Sequence, residues 1–235
     1  MAKRSVWTGM IRRERILGAV LLAVYLIVLP LAADPMFDFI GRLFGTAVPE
    51  SVRNAAYYYI LFALTLIAFG EYFLRSTRVL LDYPGKVLGT AGIGLIAFYG
   101  LNEIVWRILH TFSLTQANLN DQAILAQINA APHSTILIVV FLAPVVEEAI
   151  FRGYVFGSIR EWSRPAAYVV SCLLFALLHV WRFAAGGHDL LYLLLALQYI
   201  VPGLVMAWSF ERSGSLWGSI LLHCTVNALA VWQAV

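Results

Sequence analysis

Apolar runs long enough to cross a bilayer recur along this chain. Each is close to the roughly 20 residues that a helix needs for the hydrocarbon core. The pattern predicts spans at Ile16–Ala33, Ala55–Leu74, Val87–Leu109, Thr135–Ser158, Ala166–Trp181, Leu190–Phe210 and Leu216–Ala234. Between the third and fourth lies LNDQAILAQINA, which reads as amphipathic at helical spacing. The count is therefore seven, or eight if Leu119–Ala131 inserts. Short alternating segments, which a barrel would need, are not visible. The fold expected is all-α, a polytopic transmembrane bundle forming a single integral domain over residues 1–235, with no internal repeat.

Composition strengthens this reading. The chain is 61% hydrophobic and 12% charged, with a mean hydropathy of +0.81. Soluble domains carry about twice that share of charge. A net charge of +3 is small for a nucleic-acid binder, and the positive residues are scattered over short loops. They act as topology determinants. With the N-terminus inside, inner segments hold Lys3, Arg4, Arg12, Arg13, Arg15, Arg75, Arg78, Lys86, Arg160, Arg164 and Arg212, whereas outer ones hold only Arg42, Arg53 and Arg182. That bias puts the C-terminus outside unless the amphipathic segment crosses. The basic start followed by an apolar run resembles a signal peptide, but Ile16–Ala33 is long for a signal core and is read as a retained helix. Cys172 and Cys224 both sit in apolar runs and are expected to be free packing residues. Small residues in GKVLGTAGIGLIAFYG suit close helix contact.

The candidate chemistry comes from polar groups placed where they are costly. Ionisable residues deep in a membrane tend to be paired or functional. Those found deep in spans are Glu147, Glu148, Arg152, His179 and His223, with Asn227 as a polar companion. Glu103 and Arg107, near the outer end of the third span, read as a structural pair four residues apart. Glu148 and Arg152 share a helix face and can pair. Glu147 is rotated by about 100° from Glu148 and has no sequence-local partner, which suits a general base or acid. His223 and Asn227 share a face, and His179 lies one turn after Phe175. Counted from inner helix ends at 1.5 Å per residue, Glu147 lies about 16 Å deep, His179 about 21 Å and His223 about 12 Å. These groups can meet near mid-membrane, in a site expected to open toward the inner side. His110, His133 and His188 are read as ordinary surface residues.

Three short motifs now stand in order: EEAIFRG, FALLH and HCTVN. They fit EExxxR, FxxxH and HxxxN, and together resemble the CAAX-protease and bacteriocin-processing (CPBP, or Abi) family of intramembrane glutamic endopeptidases. The resemblance covers roughly Thr135 to Val235, taken as the catalytic core 135–235. It implies hydrolysis of a peptide bond in or near the membrane, with no cofactor. Glu147 would activate water, His179 would orient the water or the carboxylate, His223 and Asn227 would bind the oxyanion, and Glu148 and Arg152 would support the site. The implied partners are the lipid bilayer and a peptide or lipidated protein substrate, including prenylated CAAX termini, and no nucleic acid. Short loops fit a prokaryotic member in a bacterial cytoplasmic membrane, N-terminus cytoplasmic. Two alternatives stay open. One is a zinc metalloprotease built on a glutamate and two histidines, although no HExxH pair occurs. The other is a non-catalytic membrane scaffold, immunity factor or transporter.

Overall fold

The computed structural model describes residues 9–111, 118–185 and 196–234. They form eight helices: α1 Arg12–Phe44, α2 Glu50–Asp82, α3 Pro84–Thr111, α4 Leu119–Ala130, α5 Pro132–Arg160, α6 Arg164–Ala185, α7 Ala196–Ser213 and α8 Leu216–Ala234. No strand occurs among the described residues. Each expected span has its helix. Lys3, Arg4, His188 and the first residues of the span expected at Leu190 lie outside the described residues.

Five helices, α1, α2, α3, α5 and α6, are long and apolar enough to cross a membrane. Helices α7 and α8 pack into the same bundle. Isoleucines such as Ile67, Ile93 and Ile96 are exposed on the outside, as lipid-facing residues are. Helix α4 has 12 residues, about 18 Å of helix. That is too short for a core of about 30 Å, so the segment does not add an eighth span. Its apolar residues also surround the helix instead of forming one stripe: Ile128 is buried and Leu125 exposed.

Two helix ends differ from the expectation. The first span is expected to end at Ala33, yet α1 continues to Phe44. Helix α2 runs on to Asp82 through a kink at Phe69. Proline is absorbed in α1 by a widened π turn over Val24–Val28, which ends two residues before Pro30. Helix α5 repeats the device over Ile138–Leu142, ahead of Pro144. A proline ring collides with the carbonyl four residues back in a regular helix, and the extra residue of a π turn relieves the collision.

Helix α5 occupies the centre. Residues 142–153 are all buried, against α1, α2, α6, α7 and α8. The end of the bundle nearest the N-terminus is closed by polar ties. Glu211 accepts from Arg160 Nε at 2.8 Å, from Arg164 and from the Tyr168 hydroxyl at 2.7 Å, which joins α5, α6 and α7. Buried Glu14 pairs with Arg75 at 2.6 Å, and Arg15 pairs with Glu161.

Small residues act where helices touch. In α3 a side-chain carbon at Gly94 would sit 2.7 Å from Leu222, whereas Gly85, Gly89, Gly92 and Gly100 meet nothing within 4 Å. In α1 a carbon at Gly18 would lie 2.6 Å from the ring of Tyr154 on α5. Gly18→Val is therefore expected to push α1 off α5 and to cost about 1–3 kcal/mol. Gly92→Val is the neutral control. Thermal unfolding in detergent checks both, and equal midpoints would contradict the contact.

Candidate active site

The EExxxR segment spans a change in helix geometry. Ala143–Glu148 is regular, and the π segment Ala149–Phe156 follows it directly. The glutamates sit at the junction. Glu148 and Arg152, both fully buried, pair at 3.0 Å. Arg152 also donates to the carbonyl of Gly203 on α7 at 3.2 Å and lies 4.4 Å from the centre of the Phe175 ring. The arginine thus ties the motif to α6 and α7.

Glu148 has a second partner, His223 Nδ1, at 2.9 Å. A carboxylate accepts, so Nδ1 donates. The other ring nitrogen of His223, Nε2, lies 3.9 Å from Glu147 Oε2, beyond a direct hydrogen bond. Glu147 is not without partners. Its Oε1 accepts from the hydroxyl of Tyr25 on α1 at 2.9 Å. The sequence analysis missed Tyr25. The available signal was a single hydroxyl in the otherwise aliphatic run GAVLLAVYLIVLP, and a buried phenol needs a partner.

His179 Nδ1 donates to the carbonyl of Phe175 at 2.9 Å, which leaves Nε2 as the acceptor of the neutral ring. Its ring stacks on Tyr199, with centroids 4.4 Å apart. Phe175 sits between the two histidines, 4.7 Å from His179 and 5.9 Å from His223. The Asn227 amide donates to Val139 O at 2.8 Å. That carbonyl is available because of Pro144. Ala143 N–H bonds Ile138 O across the π turn, and Pro144 has no N–H to offer Val139. The structure therefore anchors Asn227 to α5, on the same wall as the glutamates.

Glu147, His179, His223 and Asn227 line one cavity of about 1380 Å³. Its walls run from Tyr25 to Asp34 and Glu50, and to Ala234 at the end of α8. All of these belong to the half of the bundle away from the N-terminus. The opening is expected at the end of the bundle that holds the N-terminus, whereas the cavity lies at the opposite end and the polar ties of Glu211 and Glu14 hold the first. Helix α4 lies across the open end and contributes Asn118, Asn120 and Asp121 to the wall. Partial withdrawal from water raises the Asp121 carboxyl above its usual range, against the opposing pull of His179 and of a hydrogen bond with Asn120. Asn118 caps α4 and bonds the Tyr199 hydroxyl at 2.8 Å, linking α4 to the residue stacked on His179.

Glu103, Arg107, His110 and His133 are not among the residues that line the cavity. Glu103 and Arg107 pair at 2.7 Å on an exposed face. His110 stacks on Trp106, and His133 lies exposed in the first turn of α5. Cys172 and Cys224 are free. Among the described residues, no three His, Cys, Asp or Glu side chains are grouped as a metal site requires.

Comparison with known proteins agrees with the motifs. Residues 129–229 match the profile of the family described as type II CAAX prenyl endopeptidase Rce1-like. The chain is 30% identical over 123 residues to "Putative membrane peptidase YdiL" of Bacillus subtilis, a match covering 52% of this chain and 46% of that protein. It is 31% identical over 86 residues to UPF0177 protein YxdF of Lactococcus lactis, covering 37% and 42%. UPF0177 protein YaiH of the same organism is 27% identical over 157 residues, covering 63% and 61%. The chain thus spans about half the length of the curated relatives it matches. No solved structure matches it. The three motifs that converge on one cavity thus lie within the segment, residues 129–229, over which the chain resembles the Rce1-like family.

Proposed function

We propose that the chain is an intramembrane endopeptidase in which Glu147 activates water. The observation that carries this reading is the division of labour between adjacent carboxylates. Glu148 is consumed by Arg152 and His223, whereas Glu147 turns an oxygen toward His223 Nε2 and the cavity.

The reaction runs as follows. A water between Glu147 Oε2 and the scissile carbonyl gives its proton to the carboxylate as its oxygen attacks the carbonyl carbon. His179 Nε2 accepts the second hydrogen of that water and orients it. The carbonyl oxygen becomes an oxyanion, facing His223 Nε2 and the amide of Asn227. Because Nδ1 already donates to Glu148, Nε2 donates to the oxyanion from the doubly protonated ring. Each well-aimed donor in a dry site contributes a few kcal/mol. Protonated Glu147 then passes its proton to the leaving nitrogen as the C–N bond breaks, giving a carboxylic acid and an amine.

The reading is metal-free. Zinc in catalytic sites takes three protein ligands, and among the described residues no three His, Cys, Asp or Glu side chains are so grouped. The cavity exceeds the roughly 300–1,000 Å³ of a drug-sized pocket. It has room for several residues of an extended peptide or for a peptide with a lipid, including the prenylated CAAX class for which the family is described. The test uses purified protein in detergent with lipidated and unlipidated peptides, alongside zinc determination. Cleavage is expected from wild type and not from Glu147→Ala, without stoichiometric zinc. Cleavage that survives in folded Glu147→Ala, or one zinc per chain whose removal stops the reaction, would overturn it.

The relatives named above are bacterial, which supports a bacterial cytoplasmic membrane. With the N-terminus cytoplasmic, as the basic residues favour, the cavity opens to the outside. Asp121→Cys should then react with a membrane-impermeant maleimide in intact cells, above the background of native Cys224. Labelling only after the membrane is opened would reverse the orientation.

A further inference from the structure

One buried polar contact at the site comes from outside the segment that matches the family. Tyr25 belongs to α1, more than a hundred residues before the first motif, and its hydroxyl donates to Glu147 Oε1 at 2.9 Å. The side chain is 2% exposed. Its ring is held between Tyr57 and Phe151, each with its centroid 6.5 Å away. The residue sits in the π turn Val24–Val28 that precedes Pro30. A π turn inserts one residue and re-aims the side chains it carries. The run VYLIVLP therefore encodes both the turn and the hydroxyl, and places that hydroxyl against the glutamate of the motif that lines the cavity.

We infer that Tyr25 is a positioning residue that selects which oxygen of Glu147 acts as the base. This rests on the reading of Glu147 as the group that activates water. The terminal torsion of a glutamate is broad and nearly two-fold, so an unanchored carboxylate samples many orientations. With Oε1 held by Tyr25, Oε2 is the oxygen turned to His223 Nε2 at 3.9 Å. The water proton is then taken up on Oε2, close to the leaving nitrogen that receives it. Tyr25 keeps its own proton throughout and touches no reacting atom. A consequence concerns the extent of the catalytic unit. Residues 135–235 hold the three motifs but not the group that orients their base, so α1 is part of the active site.

The test is Tyr25→Phe, which removes one oxygen and keeps the ring between Tyr57 and Phe151. A residue that only fills space would leave turnover unchanged. The expected result is a kcat reduced about 10- to 100-fold, as sub-ångström misplacement of a base produces, with KM and the unfolding midpoint close to wild type. A readout independent of activity comes from 3-fluorotyrosine at position 25 in the full-length protein. Its fluorine resonance is expected to move on Glu147→Gln and to stay in place on Glu103→Gln. A wild-type kcat in Tyr25→Phe, or a resonance indifferent to Glu147→Gln, would overturn the inference. If Tyr25→Phe loses stability, the fluorine signal decides. Full cleavage by Glu147→Gln would instead remove the reading of Glu147 on which this one rests. Loss of cleavage in Glu147→Gln with normal turnover in Tyr25→Phe removes the Tyr25 assignment alone.

Discussion

Glu147→Gln is expected to lower kcat for peptide cleavage by about 10²–10⁴-fold, the range that a positioned general base contributes, with little change in folding stability. The amide is isosteric with the carboxylate, and its carbonyl oxygen still accepts from Tyr25. Only the capacity to take a proton from water is lost. Stability should hold because Glu147 makes no buried ion pair at bonding distance: its nearest cationic candidate, His223 Nε2, is 3.9 Å away. Kinetics with a cleavable peptide and thermal unfolding, measured on the same preparation, check both halves. A variant that cleaves normally would contradict the assignment. A variant that fails to fold would show that Glu147 serves the bundle more than the chemistry.

Arg152→Met should do the opposite, with folding as the first casualty. Arg152 and Glu148 are fully buried and pair at 3.0 Å. Removing the cation leaves Glu148 uncompensated, which costs about 3–5 kcal/mol where one partner of a buried pair is deleted. The loss also includes the bond to Gly203 O and the contact with the Phe175 ring. The double variant Arg152→Met with Glu148→Gln carries no lone charge and should recover part of the stability. It should not recover activity, because glutamine offers His223 Nδ1 a neutral acceptor in place of the carboxylate. The unfolding midpoints of the single and double variants separate the charge effect from lost packing. Equal destabilisation in both would assign the cost to packing.

Much of the site was legible in the sequence because its rules are local. Glu148 and Arg152 are four residues apart, and helix geometry alone places them in reach of one another. The prolines that create the π turns were visible too, but their effect was not. A uniform 3.6-residue period predicts where side chains point only until an extra residue shifts the register, as happens over Ile138–Leu142 and Ala149–Phe156. The first span, expected to end at Ala33, also runs further, since α1 continues through Pro35 to Phe44.

The membrane bundle and the polar residues of the candidate site could both be read from the sequence. Apolar runs of spanning length must be helical in lipid, and ionisable groups within them are too costly to be incidental. Only the tertiary structure decided what those residues face. The Tyr25 hydroxyl reaches Glu147 across 122 positions, and His223 reaches Glu148 across 75. Which end of the bundle opens depends on Glu211 and Glu14 tying three-dimensional neighbours together at the other end. The physical reason is one of range. Periodicity and pairing rules act over a few residues of one helix, whereas a cavity is made by the packing of several helices, whose relative positions no local rule contains.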